Sequence, residues 1–252
     1  MNYPPPEFFS WESGDSNFPN NPVARDLYRA AEEGDDTKLK RLLEYGADVN
    51  ALWGHHGHAI KAAAAKRHLS TVQLLLDNGA DVHAKGGRFD YVLHAAVIYG
   101  HLPIAEFLLE AGASLHLHGG YFGNALQAAV VGQNISIVNL LLAKGANVNA
   151  QGGYFGNALQ AAVSGGEISI VKLLIDNGSN VNAHGGRFGN CLHAAVSQLK
   201  YTIVQLLLDN GADINAQGGS FGSALSAAMA RSNPMLILAG HNYVELLLQR
   251  GA

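Results

Sequence analysis

A single cysteine, Cys191, serves 252 residues, so no internal disulfide and no cysteine-built metal centre can form. Charge is sparse too: Asp, Glu, Lys and Arg make up 14% of the chain and leave a net charge of −4. A nucleic-acid binder would need a basic stripe to meet phosphates, and this balance argues against one. No apolar run reaches the length of a membrane span. The opening MNYPPPEFFS has neither the basic nor the apolar block of a signal peptide. The expectation is an intracellular protein, cytoplasmic or nuclear, with no membrane contact. Aromatic residues are also few, at 8%. The 48% of hydrophobic residues is still enough for a sizeable core.

What the chain does have is one unit written repeatedly. GGYFGNALQAAV stands at Gly119–Val130 and again at Gly152–Val163. GADVNA at Gly46 returns in variant form at Gly79, Gly112, Gly145, Gly178 and Gly211, and alanine pairs from Ala62–Ala63 to Ala227–Ala228 keep the same step of 33. A fixed period in this range indicates a stack of small units, none able to bury its apolar face alone.

Within a unit, Asn157 followed by Gln160 predicts a capping box opening a short helix that carries Ala161 and Ala162, and Asn124 with Gln127 repeats it. Asn190 with His193 is a variant. Small side chains on that helix let its neighbours approach to the lower end of the usual ~8–10 Å spacing. SIVKLLIDNG then predicts a second helix, apolar around much of its circumference, and Pro103 suits a first helical position in its counterpart. Gly178 and its equivalents predict left-handed helix ends. Segments such as NVNAHGGRFG, rich in turn residues, predict an extended loop or hairpin leading to the next unit.

Helix, helix and projecting finger at a period of 33 resembles the ankyrin repeat. The residues that carry the likeness are GADVNA after the second helix, AL-Q/H-AA opening the first, and IVxLLL in the second, over roughly Val23–Ala252. The resemblance implies an all-α ankyrin-repeat solenoid of about seven units. The family's usual TPLH is replaced here by NALQ, NCLH or SALS, and the finger reads GGxFG. That variety looks like arrays common in fungal proteins, often attached to signalling nucleotide-binding domains. No nucleotide-binding loop occurs here, so that partner domain is not carried over.

The ends depart from the pattern. Residues 21–252 form the array, and its first unit, LYRAAEEGDDTKLKRLLEYGA, carries the charges of a solvated cap. Its last unit holds a seven-residue insertion at about 232–238, SNPMLIL, expected to cover the terminal apolar face or to mediate self-association. Residues 1–20 have the Pro, Ser, Gly and Asn content of a tail without regular structure. Tyr3, Phe8, Phe9, Trp11 and Phe18 leave open that it docks on the array or on a partner.

Repeated positions divide into constant and variable ones. Phe89, Phe122, Phe155, Phe188 and Phe221, with His56 in the first finger, form a constant column that reads as finger-to-finger packing. The position before it varies: His55, Arg88, Tyr121, Tyr154, Arg187 and Ser220. Arg and Tyr most often anchor interfaces, and successive fingers should stand roughly ~10 Å apart. A second variable row, at the end of the first helix, reads Lys66, Tyr99, Gly132, Gly165, Gln198 and Arg231. The resemblance places fingers and first-helix ends on a concave partner face, implying a groove open at Val131, Gly132, Ser164 and Gly165, with Tyr99 and Gln198 on either side.

Twelve histidines raise the question of a metal or an active site. HHGH at His55–His58 and HLH at His116–His118 contain no acidic ligand and no paired zinc motif, so no metal and no cofactor are expected. His94 and His193 match the family's helix-opening histidine, which implies a structural role. His94, Tyr121, Tyr154 and Arg187 could meet only across the folded face, and no nucleophile–base pair is legible. The expected function is therefore a non-catalytic protein-interaction module binding a protein or peptide. The competing class is a small-molecule binder or an unconventional enzyme using the same groove.

Overall fold

A computed structural model describes residues 21–231 and 242–252. The expected tail at 1–20 and the insertion at 232–238 lie outside the described residues. The described residues contain fourteen helices and no strand beyond isolated bridges. By their contacts they form two compact units, one reaching Leu141 and the other running Leu142–Ala252.

In the first unit, helices pair in sequence: α1 (Pro22–Glu33) with α2 (Asp36–Glu44), α3 (Ala59–Ala65) with α4 (Leu69–Asp77), and α5 (Val92–Ile98) with α6 (Leu102–Glu110). These are followed by α7 (Ala125–Val131) and α8 (Ile135–Ala143). First helices stack in the order α1, α3, α5, α7, and second helices in the order α2, α4, α6. The second unit repeats the scheme with α9 (Ala158–Gly165), α10 (Ile168–Asp176), α11 (Cys191–Ser197), α12 (Tyr201–Asp209), α13 (Ala224–Arg231) and α14 (Tyr243–Gln249). There α11 packs between α9 and α13.

The local chemistry explains where each helix starts and stops. Asn21 accepts from the Ala24 N–H at 3.0 Å and Pro22 occupies the first position of α1. The reciprocal capping box is complete at Asn124 and Gln127. At Asn157 it is half formed. The Asn157 side chain accepts from the Gln160 N–H, but Gln160 sends its amide across to the Ala183 carbonyl at 3.1 Å. Pro103 takes the second position of α6 rather than the first, equally tolerant of a missing N–H. Gly79, Gly112, Gly145, Gly178 and Gly211 adopt φ between 81° and 90°, as expected for left-handed helix ends.

Burial follows the repeat. The alanine pairs of the first helices are at most 3% exposed. The second helices bury a narrower stripe than their composition suggests. In α10 only Ile170, Val171 and Leu174 are buried, while Leu173 and Ile175 are half-buried. Beyond the second helices an asparagine ladder joins neighbours. Asn50 donates to the Gly79 carbonyl at 3.1 Å and accepts from the Asp81 N–H at 2.8 Å. Asn149 treats Gly178 and Asn180 alike, and Asn182 treats Gly211 and Asp213 alike. His83 substitutes a ring nitrogen against Gly112 and Ser114.

Gly132, which follows α7, owes its identity to packing: a Cβ there would stand 2.4 Å from the Ile98 carbonyl oxygen of α5. Its backbone is ordinary right-handed, so the restriction is steric and not conformational. Gly132→Ala is expected to lower stability by roughly 1–3 kcal/mol through overpacking, read as a lower urea midpoint. An unchanged midpoint would mean that α5 and α7 separate freely.

Candidate functional site

Three of the fingers are short hairpins bridged by glycine pairs, while the Arg88 finger is closed by the Gly86 N–H donating to the Asp90 carbonyl at 3.0 Å. Gly119 and Gly123 exchange two backbone hydrogen bonds, at 2.7 and 3.1 Å, so Tyr121 and Phe122 sit at the turn. Gly152 with Gly156 and Gly185 with Gly189 bridge in the same way. The variable position therefore sits on a braced turn, but it is less exposed than a free tip would be at Arg88, Tyr121 and Tyr154.

At four of these tips the variable residue lies against the phenylalanine beside it. The Arg88 guanidinium is 5.4 Å from the Phe89 ring and the Arg187 guanidinium 5.5 Å from that of Phe188. Tyr121 and Tyr154 meet Phe122 and Phe155 edge-on, at 5.3 and 5.1 Å. Arg187 also lies over the Tyr154 ring and donates a hydrogen bond to its hydroxyl. Arg88, Tyr121 and Tyr154 are half-buried, and His55, Arg187 and Ser220 are exposed.

The phenylalanine column packs as expected in the first unit, where Phe89 and Phe122 are buried and stack at 6.1 Å, and His56 stacks on Phe89 at 5.4 Å. In the second unit it loosens: Phe155 and Phe188 are half-buried and Phe221 is 38% exposed. The helix-end row is mixed. Tyr99 is exposed and stands edge-on to Phe89 at 5.4 Å, joining Arg88 around that ring. Gln198 donates to the Ser164 hydroxyl at 3.1 Å, which ties a groove-flanking residue to a groove residue. Arg231 lies over Phe221. Gly132, read from the sequence as groove space, is required by packing. In the second unit Arg187, Phe188, His193, Gly218, Phe221 and Arg231 line a cleft of about 210 Å³.

In α3 and α9 the third residue of the first helix reaches the base of the next finger. Lys61, fully buried, donates from Nζ to the carbonyls of Ala84, Gly86 and Asp90 at 3.2, 2.6 and 3.0 Å. Burial lowers its pKa to about 8. Gln160 makes the equivalent reach. His94, 1% exposed, meets Tyr91 edge-on at 5.3 Å. Burial lowers its pKa to about 4, against a weaker opposing pull from the Phe89 backbone. His193 is also buried and lowered, again by burial first. These histidines occupy structural positions, and His94 is not presented to a groove. Burial pushes the Cys191 thiol up to about 12, which leaves it inert as a nucleophile at neutral pH.

The first finger departs from the sequence reading in one respect: an acidic group does join the HHGH cluster. Glu32 of α1 meets His55 and His56, with donor atoms of all three within 4.8 Å of one another. The Tyr28 hydroxyl lies 3.4 Å from His55 Nδ1 and accepts from the His56 N–H at 3.4 Å. Burial first, then the Glu32 carboxylate, push its phenol well above the usual range. Lys66 holds an ion pair with Glu32 at 3.7 Å. His116 and His118 are exposed. Glu32 falls in the column Glu32, Ala65, Ile98, Val131, Ser164 and Ser197, so lining up first-helix ends with the finger 23 residues on would have found it.

His94 carries a pH dependence of fixed sign. Its folded pKa, about 4, lies below the ordinary value near ~6.5, so the unfolded chain binds a proton that the folded chain refuses. Stability is fully present above about 6.5 and is lost as pH falls towards 4, by roughly 2 kcal/mol at pH 5. His94→Gln, using the residue found at 127 and 160, is expected to flatten the fall in stability between pH 7 and pH 5. An equally steep fall in the variant would assign that acid sensitivity elsewhere.

Comparison with known proteins agrees with this geometry. A sequence model of ankyrin repeats, three copies long, matches residues 60–152 and 126–218. The human ASB11 ankyrin repeat domain superposes with a TM-score of 0.72 at 27% identity, covering 90% of this chain and 97% of that one. No curated protein matches by sequence. Among the described residues no helix is long and apolar enough to cross a membrane. Repeat unit, packing and similarity coincide: the chain belongs to the ankyrin-repeat family.

Proposed function

We propose that this chain is a non-catalytic protein-interaction module whose finger tips and first-helix ends take a protein or extended peptide. Ankyrin repeats generally mediate protein–protein interactions, and this reading names the residues that do so here. One observation carries it. Arg88, Tyr121, Tyr154 and Arg187 are held against the phenylalanine of their own finger, the last three on glycine-bridged turns. Arg and Tyr contribute most to interfaces, and side chains already held in place lose less freedom on binding. Tyr99, Gln198, Arg231 and His55 extend the surface.

A second reading has one observation in its favour. The cleft lined by Arg187, His193 and Arg231 combines two guanidiniums with apolar walls. Guanidiniums favour carboxylate and phosphate oxygens, so the cleft suits an acidic peptide side chain or a small anionic compound. Its volume falls below the ~300–1,000 Å³ common for small-molecule sites, which favours the side chain.

Replacing Arg88, Tyr121, Tyr154 and Arg187 together by alanine is expected to abolish capture of the polypeptide partner. The stability change is expected to stay within about 2 kcal/mol, since none of the four is buried. Native mass spectrometry of the captured complex reads both outcomes. Undiminished capture by the variant would remove the site assignment. A co-captured mass of a few hundred daltons, in place of a polypeptide, would establish the anionic-ligand reading.

A further inference from the structure

We infer that Glu32, His55 and His56 form a binding site for a first-row divalent cation of the zinc class, built between the end of α1 and the first finger. The geometry comes from the repeat itself. Each first-helix end faces the finger 23 and 24 residues further on. At later repeats that place holds Ala65 with Arg88 and Phe89, or Ser164 with Arg187 and Phe188. Only the first carries three metal-ligating side chains, so the donors are absent from the recurring scaffold and specific to this end.

The donor set suits the ion. Two imidazoles and one carboxylate are a common three-ligand arrangement for zinc, with a fourth position left to water or to a partner's side chain. Donors at about 2.0–2.2 Å from a tetrahedral ion stand roughly 3.3–3.6 Å apart. The observed limit of 4.8 Å therefore requires only a modest inward rotation of the two more mobile members, half-buried Glu32 and exposed His55.

Two further observations support a ligand here. His56 is 2% exposed, and its Nδ1 is buried with no hydrogen-bond partner. Other buried histidines share that state, His94 and His193 at both ring nitrogens, but among the described residues only His56 combines it with a second imidazole and a carboxylate within 4.8 Å. The cluster is also braced. Tyr28 packs over Gly54, where a Cβ would come within 2.4 Å of its ring, and its hydroxyl touches the first-finger histidines. Such outer contacts orient metal-binding imidazoles. The opposing charges are Lys66, half-exposed and 3.7 Å from the Glu32 carboxylate, and, beyond it, Arg88, which acts on both histidines, and Lys61, which acts on His56. A surface ion pair of that kind is weak, and a doubly charged ion displaces the ammonium to solvent.

The test uses the full 252-residue chain without a polyhistidine tag, stripped of metal by chelator and titrated with Co²⁺, whose visible spectrum reports its ligands. One equivalent is expected to bind with a four-coordinate spectrum, competed away by Zn²⁺. Because His56→Ala threatens the packing on Phe89, the informative variants are Glu32→Gln and His55→Ala, checked for an unchanged helical spectrum. Each is expected to weaken Co²⁺ at least tenfold. A parental chain that binds no Co²⁺ overturns the inference. So does parental affinity in either variant, which would place the ion on exposed histidines such as His116 and His118.

Discussion

Everything in this chain depends on how closely one alanine-faced helix can approach the next. The first helices are only seven or eight residues long in each repeat after the first, too short to hold together alone. They persist because Ala62–Ala63, Ala95–Ala96 and their counterparts present almost no side chain. The backbones come near enough for residues of one repeat to reach polar groups of the next. Lys61 on three carbonyls, Gln160 on Ala183 and the exclusion of a Cβ at Gly132 all follow from that proximity. Larger residues at the pairs would move every one of these groups out of range together.

The same closeness decides what the fingers can be. A finger rooted on a buried Lys61 or Gln160 and closed across its neck, by Gly86 with Asp90 or by Gly185 with Gly189, has little freedom at its base. Its tip residue is then held in place by the phenylalanine next to it. The packing varies along the chain: Phe89 is buried among His56, Phe122, Tyr99 and Arg88, whereas Phe221 stands largely in solvent. The first unit thus presents its variable residues on a firmer base than the last described finger does.

Much of this was legible in the residues. The period, the asparagine caps, the glycine ends and the projecting position of Arg88 or Tyr121 rest on local chemistry, and local chemistry recurs visibly. What was not legible depends on choices between competing partners in space. Gln160 leaves its own cap half formed and reaches Ala183, a contact that only the neighbouring backbone makes visible. Leu173 and Ile175 look like core by composition, yet the width of the buried stripe is set by packing between helices. Glu32 gave no local sign of meeting His55 and His56, because 23 residues and a second helix intervene. The glycine at 132 looked like an opening and is instead a point of contact.

The asparagine ladder has a consequence for how such a chain can grow. Its bonds run at fixed offsets: Asn50, Asn149 and Asn182 each donate 29 residues ahead and accept from 31 ahead. A tandem duplication of 33 codons that copies a repeat carrying one of these asparagines therefore arrives with the donor already opposite its acceptor. New surface can be added by copying first and altering one tip residue later.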